Sequence, residues 1–383
     1  MDEFPLLPSN SPLSYSLLNL NILGEPRGDS ANLEKRLKVI TNSITNPLHD
    51  QPDILCFQEA FLPYTRDALS SGLSNDYTLH FARQHNPIPP LAGFLPCVLL
   101  ATLFYLIFPT PPRSTTLAVL MTTSPLFLFV LIRVAFAFNV LNLPYSKPVS
   151  LLAKSRLDFM GTVIAFKKSS IKSSTLLHKE GFSHSLRGYP FPPLNPSSLL
   201  IYFIQHTFFR PGFLISSCTL PSSRKVLVCN VHLVLGYPNP SRRLQVKRVL
   251  DVIRSLQDDC CYDSVVISGD FNAPTCDEAF RILEDEGWVD MSLKHGKKQP
   301  TWVKKNELCE FEADEFGLNR GSSERIDFCF VKNAGSDVNG RCWNVFDGIE
   351  GEICSDHYGL RVEVNGTETK SPKSVIDHIT DLT

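Results

Sequence analysis

Several short apolar runs in this chain each end in an acid, an amide or a histidine, and that pattern limits its fold more than anything else. SYSLLNLNIL (14–23) carries Asn21 near its end, and DILCFQEA (53–60) carries Glu59. KVLVCNVHLV (225–234) carries His232, and SVVISGDFN (264–272) carries Asp270 and Asn272. RIDFCFV (325–331) carries Asp327, and Asp356 and His357 stand at the head of HYGLRVEV (357–364). Runs of this length with branched and aromatic residues read as buried strands. GTVIAFK (161–167) is a further strand. Strands that deliver polar groups at their ends bring them together at one end of a sheet. In GDFN the acid and the amide are two residues apart, so on an extended chain they share a face and reach one ligand together.

Between the strands lie polar segments with helical spacing. NLEKRLKVITNSI (32–44), SRRLQVKRVLDVIRSLQD (241–258) and a stretch around 277–286 are predicted helices. In the second, Leu244, Val249 or Leu250, Ile253 and Leu256 fall near one face. The alternation of strands with helices indicates an α/β fold. With 43% apolar and 20% charged residues, the chain has enough apolar content for a large core, which excludes a wholly disordered protein. A formal net charge of −2 gives no global basic field for nucleic acid. The 11 cysteines form no CxxC pair, which points away from zinc ribbons and disulfide scaffolds and toward a reducing compartment. No GxGxxG or P-loop appears, so an ATP-dependent activity has no support.

One region departs from this pattern. From Gln84 to Ser146 the only formal charges are Arg113 and Arg133. It holds two apolar stretches, 91–108 and 117–143, joined by PTPPRSTT. Their 18 and 27 residues are long enough to cross a bilayer, although Pro96, Pro125 and Arg133 interrupt them. The expectation is a hydrophobic hairpin over 91–143, spanning or inserted in a membrane, that interrupts one catalytic domain over 13–365. Solvated tails are expected at 1–12 and 366–383. Six cations in 147–172 (Lys147, Lys154, Arg156, Lys167, Lys168 and Lys172) oppose only Asp158, a composition suited to the cytoplasmic face of an intracellular membrane.

Taken in order, the motifs QE, NxH, GDxN, RxD and SDH resemble those of the endonuclease/exonuclease/phosphatase superfamily. That superfamily includes deoxyribonucleases, abasic-site endonucleases, inositol polyphosphate 5-phosphatases, deadenylases and neutral sphingomyelinases. The resemblance spans about residues 14–364 outside the apolar insert. It implies a four-layer α/β/β/α sandwich with the site between the sheet edges, and a metal-dependent phosphoric ester hydrolase using Mg²⁺, or Mn²⁺ in its place. Leu20 stands where the family usually has an aromatic residue, so either Asn21 or Asn19 is the functional amide, and Asn21 is preferred for its place in the pattern.

Glu59, a hard oxygen donor after ILCF, suits Mg²⁺. The resemblance makes it the main metal ligand, with Asn21 beside it and Asp356 binding the metal or shaping the site. His357 is expected as the general base, held by Asp327, with Asp270 as the alternative base. Asp270 and Asn272 would orient the water and the phosphoryl oxygens, and His232 would act on the leaving oxygen or the substrate's charge. Trp302 in TWV (301–303) is packing or a wall of the substrate site. The apolar insert and PGFLISSCTL (211–220) favour a phospholipid substrate such as sphingomyelin. The alternative is a nuclease or nucleic-acid-end phosphodiesterase, for which SRRLQVKR (241–248) could supply a basic patch.

Overall fold

The computed structural model describes residues 13–23, 30–61, 63–82, 161–182, 211–234, 241–295, 299–303, 306, 308, 323–334, 337–348 and 352–366. The expected hairpin over 91–143 and all but a residue or two of the expected tails lie outside them. Among the described residues no helix is long and apolar enough to cross a membrane.

Two six-stranded sheets stack face to face. The first has the order β11(Val338–Val345), β12(Gly359–Gly366), β1(Ser14–Asn21), β2(Ile54–Gln58), β4(Val163–Lys167), β3(Tyr77–Phe81). The second has the order β5(Ser173–Gly181), β6(Gly212–Thr219), β7(Lys225–His232), β8(Ser264–Asp270), β10(Asp327–Asn333), β9(Val289–Asp290). Helices α1(Ser30–Thr45) and α2(Pro63–Leu73) cover the first sheet, and α3(Ser241–Asp259) and α4(Glu278–Asp285) cover the second. A short α5(Met291–His295) follows β9. The expected four-layer α/β/β/α sandwich is therefore present.

Alternation along the strands builds the layers. Leu17, Ile54, Cys56, Ile164 and Phe166 of the first sheet meet Leu214, Val228, Val266 and Cys329 of the second in the central core. Their neighbours one residue away point outward: Leu18, Leu55 and Val163 to α1 and α2, and Leu227, Val265 and Ile267 to α3 and α4. This is the period-two geometry of a strand buried on both faces. In α1, Leu33, Leu37, Ile40 and Ile44 recur at helical spacing and are buried.

α3 differs from its expected face. Leu244 is 47% exposed, whereas the buried stripe runs through Arg242, Gln245, Val246, Val249, Leu250 and Ile253. Two polar side chains lie on the inner face because they bond to backbone at the site, and the stripe is rotated accordingly.

Among the described residues two strand pairs are parallel, β1 with β2 and β7 with β8, and each is joined through a helix, α1 or α3. A parallel pair needs such a crossover. All four strands thus run toward the same end of the sandwich, and that end holds the site.

Of the basic run 147–172, residues 161–172 are described. Lys167 ends β4 opposite Tyr77, and Lys168 and Lys172 lie in the turn after it, at the end away from the site. The Lys168 ammonium donates to the Ser74 carbonyl and that of Lys172 to Ser223 Oγ. Lys147, Lys154 and Arg156 lie outside the described residues.

Candidate active site

The strand register aligns the polar ends. Asn21 pairs with Gln58 in the first sheet, and His232, Asp270 and Asp327 form one row across β7, β8 and β10 of the second. Beyond the strand ends the backbone turns through the left-handed region at Leu23 (φ 46°), Glu59 (φ 63°) and Asn272 (φ 49°). Non-glycine residues held there cost energy, and such positions cluster at functional sites. The turns aim Glu59 and Asn272 across the strand ends instead of along them.

Asn21, Glu59 and Asp270 meet first. The Asn21 amide nitrogen donates to Glu59 Oε1 (2.9 Å) and to Asp270 Oδ2 (3.0 Å). Its oxygen accepts from the Leu23 amide (3.1 Å). Expected as an oxygen ligand, Asn21 here turns its nitrogen to the two carboxylates and uses its oxygen to hold the turn. His232 Nε2 lies 3.7 Å from Asp270 Oδ2 and 4.0 Å from Glu59 Oε1. Phe61 packs near the His232 ring, with centroids 6.1 Å apart.

His357 and Asp327 form the second group. His357 Nδ1 is 2.7 Å from Asp327 Oδ2, and its Nε2 is 3.9 Å from Asp270 Oδ2. Asp327 receives the Asn19 amide nitrogen at 3.4 Å. Asn19, the alternative amide, therefore serves Asp327, while Asn21 serves the carboxylate pair. Trp302 is 1% exposed and clusters with Ile326, which makes it packing.

The GDFN motif is not extended through its whole length. β8 ends at Asp270, whose Oδ1 accepts the Asn272 backbone amide (2.7 Å) in a tight side-chain turn. Asn272 Nδ2 donates to the Leu233 carbonyl (3.0 Å). The acid and the amide still meet at the site, but through a turn and not through the period of a strand.

Sequence reasoning assigned no role to the groups that hold these residues. Gln58 Nε2 donates to Asn19 Oδ1 (2.8 Å) and to Asn230 Oδ1 (2.6 Å), a fully buried amide chain leading to Asp327. The Arg36 guanidinium of α1 donates to the carbonyls of Ile22, Leu23 and Cys354 (3.0–3.1 Å). Ser355 Oγ donates to the Asn21 carbonyl and also contacts Asp356 Oδ1 at 3.1 Å. On the other side, fully buried Arg242 of α3 donates to the carbonyls of Asn272 (2.9 Å) and Val234 (3.3 Å) while paired with Asp277 (2.7 Å). One arginine from each helical layer thus grips the backbone of the site turns. Gln58 and Asn230 sit within the quoted QE and NxH motifs, but nothing in the sequence set them apart from the catalytic members of those motifs.

Electrostatics follow from burial and crowding. Burial and the neighbouring His357 push His232 down to about 4. Burial raises the Asp270 carboxyl to about 6, against the opposing pull of His357. Burial works against a charge on His357, but the carboxylates of Asp327, Asp356 and Asp270 outweigh it and hold the imidazole well above its usual range.

Among the described residues two overlapping groups could hold a cation: Glu59, His232 and Asp270, and Asp270, Asp327 and His357, each with one ligand atom per residue within 4.8 Å of the others. The donor set fits a hard divalent ion, since the half-buried carboxylate of Glu59 and the buried carboxylates of Asp270 and Asp327 stand close together with amides and imidazoles around them. Asp356, expected as a metal ligand, stands in neither group.

A four-layer sandwich with acids, amides and histidines gathered at its strand ends is the architecture of a class of hydrolases that act on phosphoester bonds. The family model described as Endonuclease/Exonuclease/phosphatase family matches residues 18–357, and the chain belongs to that family. Its fold is similar to that of an endonuclease/exonuclease/phosphatase family protein from Bacteroides thetaiotaomicron (14% identity, TM-score 0.52, 93% of this chain and 99% of that one). It is also similar to beta toxin from Staphylococcus aureus (15%, 0.51, 91% and 99%). A third similar structure is D. rerio TDP2 complexed with single strand DNA product (15%, 0.50, 92% and 99%). No curated protein sequence matches the chain.

Proposed function

We propose that the protein is a divalent-metal-dependent phosphodiesterase that hydrolyses a phospholipid such as sphingomyelin at an intracellular membrane, with its catalytic domain on the cytoplasmic side. The observation that carries the hydrolytic part is that two groups, Glu59–His232–Asp270 and Asp270–Asp327–His357, meet at their shared member Asp270. Mg²⁺, or Mn²⁺, bound there supplies charge neutralisation at the phosphoryl oxygens and favours deprotonation of a bound water. Glu59 and Asp270 would hold the ion, with Asn21 fixing both carboxylates.

A cation held by Glu59 and Asp270 would offset the carboxylates that keep His357 protonated; the freed imidazole would then take the proton of the attacking water at Nε2, while Asp327 fixes the ring through Nδ1 and stabilises the imidazolium. Asp270 faces that same nitrogen and is the alternative base. His232 and Asn272 would flank the phosphate, with His232 acting at the leaving oxygen.

The apolar sequence of 91–143, inserted between the Glu59 strand and β4, supports a lipid substrate and a membrane location. Nucleic acid is the second reading, since the same chemistry serves any phosphodiester. The basic run 241–248 gives it little help. Arg242 is buried against Asp277, Arg243 faces Glu278 (3.6 Å) and Arg248 faces Glu180 (2.8 Å). Cations committed to acids release fewer counterions on binding a phosphate backbone. The test offers purified protein with Mg²⁺ sphingomyelin vesicles, single- and double-stranded DNA, and soluble inositol phosphates. Turnover of sphingomyelin is expected; turnover of DNA alone overturns the lipid assignment.

A further inference from the structure

We infer that Gln58 is a positioning residue for the His357 base: through Asn19 it fixes Oδ1 of Asp327, and with it the carboxylate that orients the imidazole. The inference rests on the phosphodiesterase reading above and adds to it a fully buried side chain outside the catalytic set. Its basis is a change of composition in the core between the two sheets.

Inner-facing positions recur every second residue along each strand. In β1 they run from Leu17 to Asn19, in β2 from Cys56 to Gln58, and in β7 from Val228 to Asn230. The first member of each pair lies in the apolar central core. The second lies one rung nearer the site, and there all three strands carry an amide instead. Asn19, Gln58 and Asn230 are each 0% exposed. The layer directly beneath the catalytic row is thus polar and dry at once.

Burying an amide costs stability unless its donors and acceptors are met. Here the bonds run in one direction. Asn230 Nδ2 donates to the carbonyls of Phe57 (2.8 Å) and Val163 (2.9 Å), groups that can only accept. These carbonyls fix the Asn230 amide with its nitrogen toward the first sheet, so its Oδ1 faces Gln58. Gln58 Nε2 donates to that oxygen (2.6 Å) and gives its other hydrogen to Asn19 Oδ1 (2.8 Å). With its oxygen occupied, Asn19 turns its nitrogen to Asp327 Oδ1 (3.4 Å). Two backbone carbonyls therefore set the polarity of every amide between them and the catalytic acid.

The chain ends where orientation matters. Asp327 Oδ2 is left for His357 Nδ1 (2.7 Å). A carboxylate bonded through each oxygen to a different element does not turn freely about its Cβ–Cγ bond. The direction of His357 Nε2 follows the plane of that carboxylate. Stability alone does not explain the amide at 58. Gln58 Oε1 is buried with no partner among the described residues, an unmet acceptor that an apolar side chain of similar volume would lack. What Gln58 adds over such a side chain is its two N–H groups, and one of them leads to the catalytic acid.

The test is Gln58→Met, which keeps the length of the side chain and removes both donors. With bis(p-nitrophenyl) phosphate and Mg²⁺, kcat should fall at least about tenfold, while KM changes less than about twofold. Gln58 precedes Glu59, so the Mg²⁺ concentration for half-maximal activity is measured too, and it should also change less than about twofold. In the Asp327→Asn background the same substitution should add less than about twofold, because Gln58 acts through that carboxylate. A weakened response to Mg²⁺, or a loss that multiplies with that of Asp327→Asn, overturns the inference.

Proton–nitrogen NMR of the His357 ring supplies a readout besides turnover. The buried Nδ1–H resonance should shift and exchange faster with water in Gln58→Met. Asn19→Leu, which breaks the chain one link later, should do the same and serves where Gln58→Met does not fold. An unchanged resonance in the folded variant overturns the inference. The two readings fail separately. A protein that hydrolyses no phosphodiester, yet whose His357 resonance responds to Gln58→Met, removes only the proposed activity. A phosphodiesterase whose kcat and His357 resonance ignore both substitutions removes only the role of Gln58.

Discussion

Asp327 and His357, thirty positions apart in the chain, place a carboxylate oxygen 2.7 Å from Nδ1 of a buried imidazole. Asp327 is the first residue of β10, its backbone amide bonds to Thr301 Oγ1 (3.0 Å), and its second oxygen receives Asn19. His357 forms a bridge with Trp302, beside Thr301. The ring is therefore oriented by a carboxylate that is itself held from two sides.

This pair gives the first expected outcome. His357→Ala should cut kcat at least about 100-fold, the scale of a lost general base. Asp327→Asn should take a large share of that loss, and the double variant should be no slower than His357→Ala alone, because the two act as a unit. Asp327 also raises the His357 pKa. Its removal should move the acid limb of the pH–kcat profile to lower pH, since the neutral imidazole then persists further into acid. Additive losses, or an unmoved limb, would contradict this assignment.

Glu59 tests the metal. Its carboxylate and that of Asp270 share one amide donor, Asn21, so negative charge is concentrated where the ion is expected. Chelation with EDTA should abolish turnover and Mg²⁺ should restore it. Glu59→Gln should raise the Mg²⁺ concentration for half-maximal activity by at least about tenfold. Isothermal titration with Mg²⁺ provides a readout independent of turnover.

Arg242 and Asp277 form an ion pair that is nearly fully buried. Asp277 also caps α4, accepting the Ala279 amide (2.9 Å). Asp277→Ala would leave a buried guanidinium without its acid, at a cost of about 3–5 kcal/mol, with about 1 kcal/mol more for the cap. Urea unfolding should show a lower midpoint at unchanged slope. Arg242 also grips the carbonyl of Asn272, so Arg242→Lys should lower kcat more than stability.

Much of this was readable in the sequence, because burial and periodicity coincide there. β1, β2, β4, β7, β8, β10 and β12 are apolar runs, and α1, α3 and α4 were visible as helices, although the buried face of α3 was not. β5 was not: SSTLLHKEG is a largely exposed edge strand whose register also shifts at Leu176 and His178, so it shows no alternation. β11 was hidden by Gly340, where a Cβ would sit 1.8 Å from the Glu363 carbonyl; a glycine that reads as a turn is required there by close strand approach. The site residues were legible as strand-end polar groups. Arg36, Arg242 and the Gln58–Asn230 pair were not, because a residue that binds backbone carbonyls or a buried amide looks in sequence like any surface polar residue.

A glycine inside the site motif provides a further test. Gly269 precedes Asp270 with φ +152°, and a Cβ there would lie 1.9 Å from the Val231 carbonyl oxygen. That contact is backbone on backbone between β8 and β7, so no side chain can give way. Gly269→Ala should force the two strands apart beside His232 and Asp270, at a cost on the order of 3 kcal/mol. Activity should fall even where the fold survives, and thermal melting separates the two effects.

His80 sets a pH dependence of stability away from the catalytic groups. It joins the two sheets through Ser216 (2.9 Å) and Ser174 (3.4 Å), with Phe166 at its edge. Burial lowers its pKa below the ordinary histidine value, and both hydroxyl partners are neutral, so nothing compensates a charge on the ring. The unfolded chain then binds a proton more readily than the folded one. Stability from this residue is complete above the unfolded pKa of about 6.5 and is lost as pH falls through the lower folded value. Urea midpoints should therefore drop between pH 7 and pH 5. In His80→Gln, which keeps a hydrogen-bonding side chain but cannot titrate, the drop should be smaller. An equal slope in both proteins would assign the acid sensitivity to the crowded carboxylates and histidines at the site.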